Sequence, residues 1–234
     1  PLHQGGIKSA RFSPDGSRFV TASADATARV WESDTGRALS RSMRHAEAVL
    51  DAEFSPDGQE VVTASSDRTA RLWNVQTGEP AGPPLAHPDV VVTACFSPDG
   101  RRIATACGDH HARVWDPRSG QLAAPPMAHQ ARVVSARFSR DGLRLITASQ
   151  DHTARLWDAG SGVPMGQPLR HNGPVHTAAF SPDGLWVVTA SADSTARVWD
   201  ALASQPVADY LRHDGEVVGA EFSPDGQRVL AASV

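Results

Sequence analysis

The side chains with most chemical potential are a histidine, a serine and an aspartate close together, His45, Ser65 and Asp67, followed by Trp73. Imidazole, hydroxyl and carboxylate are the parts of an acyl-transfer triad, in which the base takes the proton of the nucleophile and the acid orients the base. The set is not unique, however. His3, Ser23, Asp25 and Trp31 repeat it, as do His129, Ser149, Asp151 and Trp157, and His171, Ser191, Asp193 and Trp199. In a further copy His87, Asp109 and Trp115 remain, with Cys107 in place of the serine. A nucleophile is needed once, at an open site. Recurrence points instead to buried polar groups that must be paired within each copy. No catalytic residue is assigned, and the protein is not expected to be an enzyme.

The third copy invites a second chemistry. His87, Cys107, Asp109, His110 and His111 are all metal-ligating types, but their spacing matches no familiar zinc pattern. We expect no metal and no cofactor, with His110 and His111 as exposed turn residues. Cys95 and Cys107, the two cysteines, read as reduced, buried thiols rather than a disulfide framework.

The elements that carry these residues follow from the period. Trp31, Trp73, Trp115, Trp157 and Trp199 recur every 42 residues, and so do His3 through His213 and Phe12 through Phe222. The chain of 234 residues is therefore a tandem array, with copies at 3–44, 45–86, 87–128, 129–170 and 171–212 and a partial one at 213–234. We treat 1–234 as a single segment. In the second copy Val49 to Phe54 reads as a strand, and Ser55-Pro56-Asp57-Gly58 as a hairpin turn, with Pro presetting φ and Gly supplying positive φ. Glu60 to Ser65 is β-branched and strand-like; Asp67-Arg68 turns again; Thr69 to Trp73 is a third strand. The fourth, along Glu79 to Leu85, contains Pro83 and Pro84 and belongs at a sheet edge. A turn signal about every ten residues leaves no room for a helix. Each copy is a small antiparallel sheet of four strands.

One such sheet is marginal alone, so copies must cover one another's faces by radial stacking. The repeated pattern resembles the WD-repeat family of β-propellers. It is carried by Arg29-Val30-Trp31-Glu32, Arg71-Leu72-Trp73-Asn74, Arg113-Val114-Trp115-Asp116, Arg155-Leu156-Trp157-Asp158 and Arg197-Val198-Trp199-Asp200. Glu32 and Asn74 depart from the namesake dipeptide. Near-identical copies without gaps are similar to arrays in bacterial multidomain proteins. The fold class expected is all-β, a propeller of five full blades plus a partial sixth, with an incomplete ring, cut from a longer polypeptide whose remaining blades would be its first partner. The resemblance also implies a chain of bonds in each blade: Asp to the His ring, His to the Ser hydroxyl, and Ser to the indole N–H.

Composition narrows the function. A net charge of −4 argues against non-specific nucleic-acid binding. No apolar run approaches the roughly 20 residues of a membrane span. No signal pattern opens the sequence, and a cytoplasmic location is the expectation. Arg29, Arg71, Arg113, Arg155 and Arg197 could form a cationic ring for an acidic ligand, or pack their stems between blades. The resemblance implies that ligands meet positions three and five after each His and one before each Asp. From these we take Lys8, Leu50, Arg132, Gln150, His176 and Glu216 as partner-binding candidates. Trp186, where other copies carry Arg or Glu, is either an outer contact or a cross-strand packing residue. The expected function is a non-catalytic protein–protein interaction scaffold or sensor module that docks a protein or peptide. The alternatives are a propeller enzyme using a central channel and a structural array without a ligand.

Overall fold

The computed structural model describes residues 2–39, 41–207 and 210–234. All regular elements among them are strands. The first sheet comprises β1 (Ile7–Phe12), β2 (Arg18–Ser23), β3 (Thr27–Glu32) and β4 (Met43–Arg44). The second has β5 (Val49–Phe54), β6 (Glu60–Ser65), β7 (Thr69–Asn74) and β8 (Leu85–Ala86). The third has β9 (Val91–Phe96), β10 (Ile103–Cys107), β11 (His111–Asp116) and two short outer pieces, β12 (Gln121–Leu122) and β13 (Met127–Ala128). The fourth has β14 (Val133–Phe138), β15 (Arg144–Ser149), β16 (Thr153–Asp158) and β17 (Pro164–Arg170). The fifth has β18 (Val175–Phe180), β19 (Trp186–Ser191), β20 (Thr195–Asp200) and β21 (Leu211–Arg212), and the sixth β22 (Val217–Phe222) and β23 (Val229–Ser233). Neighbours in sequence pair antiparallel within each sheet, except that in the third β12 and β13 both pair with β11. The anticipated fourth strand is shorter than its Pro-rich stretch: in the second copy only Leu85 and Ala86 pair, with a lone bridge from Trp73 to Pro80. Proline has no N–H to give a ladder.

The described residues form two compact units, Pro1–Asp109 with Val114–Ala123, and His110–Arg113 with Ala124–Val234. In each, sheets lie face on face. Strand alternation explains how. Adjacent residues of a strand point to opposite faces, so Val61 joins Val20, Val30 and Met43 of the first sheet, while Val62 joins Ile103 and Phe96 of the third. In the second unit Val187 packs with Ile146, Leu156 and Leu169, and Val188 with Val217 and Ala220. Both faces of β6 and β19 are therefore core, and each fully buried Val or Leu contributes about 1.5–3 kcal/mol. Within a unit, β5 lies against β1 and β2, and β18 against β14 and β15, while outer strands make little contact across sheets. Neighbouring sheets thus converge at their first strands and splay at their last.

Two turns position the site. In Ser55-Pro56-Asp57-Gly58, Ser55 Oγ donates to Asp57 Oδ1 at 2.6 Å and accepts from Glu60 N at 2.9 Å. In the turn after β6, Arg68 has φ +67°, a left-handed conformation that costs a non-glycine residue about 1–2 kcal/mol. Asp67 offsets this by accepting at Oδ1 from both Thr69 N (3.0 Å) and Thr69 Oγ1 (2.6 Å).

The turn after the third strand separates backbone strain from crowding. Gly36 and Gly78 hold the same place in successive copies, with φ +66° and +71°. A Cβ on Gly36 would meet nothing within 4 Å, whereas one on Gly78 would lie 2.6 Å from Arg41 O of the preceding copy. Gly36→Ala should cost about 1 kcal/mol from the left-handed backbone. Gly78→Ala should cost on the order of 1–3 kcal/mol more, because backbone must shift. Urea unfolding midpoints measure the difference, and equal shifts would contradict it.

Candidate functional site

The buried polar chain runs through threonine, not serine. His45 Nδ1 lies 2.9 Å from Asp67 Oδ2, His45 Nε2 lies 2.7 Å from Thr63 Oγ1, and Trp73 Nε1 donates to the same hydroxyl at 2.8 Å. The other copies use Thr21, Thr105, Thr147 and Thr189 for the bonds to His and Trp. This corrects the roles given to Ser23, Ser65, Ser149 and Ser191. Register supplies the reason. Trp73 stands opposite Val61, and Thr63 is the next residue on that face, whereas Ser65 lies one step farther, at the strand end. There Ser65 Oγ is taken by Ala48 O at 3.0 Å and by Asp67 N at 3.1 Å.

The proton positions follow. The Asp67 carboxylate only accepts, so His45 Nδ1 carries the proton and Nε2 is the acceptor. The hydroxyl of Thr63 then donates to Nε2 and accepts from the indole. Every member is satisfied, and Asp67 Oδ2 also accepts from Ala46 N at 3.1 Å. Burial pushes the Asp67 carboxyl up, but hydrogen bonds from Thr69, Ala46 and His45 outweigh it and hold it at about 2. Asp193 is likewise held at about 2, against burial, by Thr195, Asn172 and His171. Burial pushes His45 and His171 below their ordinary value despite the adjacent carboxylates. The arrangement has the members of a triad, but Thr63, Thr147 and Thr189 have no exposed surface for a substrate to reach.

The third copy keeps the Trp–Thr–His part of this chain, but His87 Nδ1 turns to Leu85 O, which corrects the pairing expected with Asp109. Trp115 Nε1 donates to Thr105 at 3.0 Å, and His87 Nε2 lies 2.8 Å from Thr105 Oγ1, so replacing serine by Cys107 does not interrupt that part. Cys107 instead donates to Asp89 O at 3.3 Å, and burial pushes its thiol up to about 11. His87 Nδ1 lies 2.9 Å from Leu85 O. His110 is exposed, at φ +72°, and His111 is partly buried. Neither Cys95 nor Cys107 is in a disulfide, and both are buried. Among the described residues no group of three or more His, Cys, Asp or Glu is arranged to hold a metal.

The partner-binding candidates fall at one end of the sheets. The ladder of the first hairpin skips one residue in every copy: Lys8, Leu50, Val92, Val134, His176 and Val218 are the extra residues of β-bulges. A bulge releases a side chain from the ladder and re-aims it. Lys8 is exposed; Leu50, Arg132 and His176 are half-buried; Gln150 and Glu216 are exposed. The structure joins Gln150 to Arg132, whose carbonyl accepts the Gln150 N–H at 3.0 Å. It also sets His176 Nε2 at 3.4 Å from Glu216 Oε2. Lys8 and Leu50 belong to the first unit and the other four to the second. Leading-loop and turn positions are thus tied backbone to backbone. Such an end presents varied side chains on a rigid frame, which suits contact with another molecule.

Arg71, Arg155 and Arg197 aim back along their own strands. Their Nε donate to Thr69, Thr153 and Thr195 at 3.2, 3.5 and 3.1 Å. Arg197 also pairs with Asp193 at 3.0 Å and lies 4.0 Å from the centre of the Tyr210 ring. Thr63 and its counterparts were missed by sequence reasoning because Thr and Ser are two apart on one face; only the register distinguishes them.

A family profile described as WD domain, G-beta repeat matches residues 1–32, 38–74, 83–116, 122–158 and 163–200, which is most of the chain. Comparison with curated proteins gives no match.

Two outcomes test the buried chain. Thr63→Val removes the hydroxyl while keeping the shape, stranding the His45 nitrogen and the Trp73 N–H at about 1–3 kcal/mol each; calorimetry or urea unfolding reads the loss. With pH the sign is fixed by linkage. His45 and His171 have folded values below 6.5, so the unfolded chain binds more protons and stability falls as pH drops below about 6.5. Asp67 and Asp193, at about 2 when folded against an ordinary 3.8, add a second loss as pH falls from about 4 toward 2. A urea midpoint flat from pH 7 to pH 3 would contradict both.

Proposed function

The chain belongs to the WD domain, G-beta repeat family, and from that premise we propose that it is a non-catalytic scaffold that docks protein or peptide partners at the bulged end of its sheets. Repeats of this family generally mediate protein–protein interaction and scaffolding, and they are typically not catalytic. The observation that supports the finer reading is the bulge repeated in all six first hairpins. The frame is the same each time, but the side chain it releases is not: valine in three copies (Val92, Val134 and Val218), and Lys8, Leu50 and His176 in the others. A repeated frame with varied tips serves recognition better than chemistry, which would need one constellation built once. In the first unit Lys8 offers a polar contact and Leu50 an apolar one; in the second, Arg132, Gln150, His176 and Glu216 offer polar ones.

Affinity capture with the intact protein tests this. The Lys8→Ala, Arg132→Ala and His176→Ala triple variant should keep its unfolding midpoint, since none of the three is a core residue. It should retain its partners at least about fivefold less well, in line with loss of one or two energetically dominant contacts. Undiminished capture by a folded variant would remove the assignment of these residues.

A further inference from the structure

A second surface lies at the opposite end of the same strands, where the Ser-X-Asp-Gly turn of one sheet faces that of the next. Within each unit these crevices hold a guanidinium that the chain itself supplies. Between the first and second sheets, Arg18 Cζ lies 5.8 Å from the centre of the Phe54 ring. Between the second and third, Arg118 donates to Glu60 at 2.7 and 2.9 Å, in a cavity of about 270 Å³ that also contains Asp57 and Asp99. Between the fourth and fifth, Arg144 Nη2 donates to Gly184 O at 2.8 Å and its Cζ lies 5.1 Å from the Phe180 ring centre. In each case a planar cation lies close to a turn carboxylate: Arg18 to Asp15, Arg118 to Asp57 and Arg144 to Asp141.

The crevice between the fifth and sixth sheets breaks the pattern. Trp186 stands where Arg18 and Arg144 stand in their copies. Among the described residues no donor reaches Gly226 O, the counterpart of Gly184 O. What remains is a larger cavity, about 400 Å³, lined by half-buried Trp186 and Pro182 and by exposed Asp183, Asp225, Gln227 and Arg140. Asp183 Oδ1 accepts from Ser181 Oγ and Leu185 N, and Asp225 Oδ1 from Ser223 Oγ and Gln227 N. These bonds hold both carboxyls below their ordinary range, so both are ionised at neutral pH. Each has its Oδ2 left for another donor.

We infer that this crevice receives a guanidinium from outside: an arginine side chain of a partner protein, stacked on Trp186 and paired with Asp183 and Asp225. Arginine fits because its plane lies on an indole while its N–H fork meets carboxylates. Arg140 at the rim competes for the same carboxylates. This surface is independent of the bulged end.

The test uses the ¹⁵N-labelled full chain and acetyl-Gly-Arg-Gly-amide. The peptide should shift the Trp186 indole N–H and the Asp225 and Gly226 amide signals, with weak affinity on the order of a millimolar. The five other tryptophans, whose N–H groups are committed to threonines, should stay still. Trp186→Arg installs the residue that other copies carry, so it should fold and abolish the Asp225 and Gly226 shifts. Asp183→Asn with Asp225→Asn should weaken binding roughly threefold or more, and Arg140→Ala should tighten it. The Lys8, Arg132 and His176 substitutions should leave the titration unchanged. No shift with the arginine peptide, equal shifts with its glutamine analogue, or shifts that persist in Trp186→Arg would overturn the inference.

Discussion

A sheet of four short strands that is apolar on both faces cannot cover either face itself. Everything else in this protein is arranged around that deficit. Val61 and Val62, or Val187 and Val188, are consecutive residues that enter different cores. A strand of this kind is stable only between two neighbours, so stability is shared along each unit rather than held within a sheet. The splay of the outer strands follows, because contact is concentrated at the first strands, and it leaves the fourth strand free to be short and rich in proline.

Shared packing creates a second requirement. The large indole that closes each core carries an N–H, and burying it without a partner would cost about as much as a methyl or two contributes. The Trp–Thr–His–Asp chain resolves this by handing the donor inward to a carboxylate at the turn. The carboxylate in turn holds a left-handed residue such as Arg68. Core, strand and turn are thereby fastened by one set of bonds, which explains why chemically suggestive residues occur in every copy.

With the inner strands of each sheet committed to packing, its two ends carry side chains that vary between copies. At one end bulges release Lys8, Leu50 or His176. At the other, turn carboxylates gather around a guanidinium, except where Trp186 replaces it. The two ends differ in physical character: one is a set of re-aimed side chains on a paired backbone, the other a row of crevices with fixed negative charge. The recognition proposed at either end would depend on the rigidity of the strands between them.

The sequence alone determined the period, the four-stranded unit, the turns and the face-on-face stacking, because spacing and alternation are properties of the chain read in order. The family resemblance pointed to Lys8, Leu50 and His176, which the structure places at three of the bulges, and the sequence showed the oddity of Trp186. It did not distinguish Thr63 from Ser65, since both are hydroxyls on one face of one strand. That choice belongs to the register that places Trp73 opposite Val61. Nor did it show that His87 keeps Thr105 but turns its other nitrogen to Leu85 O, or that Arg118 reaches back to Glu60 across 58 positions. Such contacts depend on distances between sheets, and only the tertiary structure decides those.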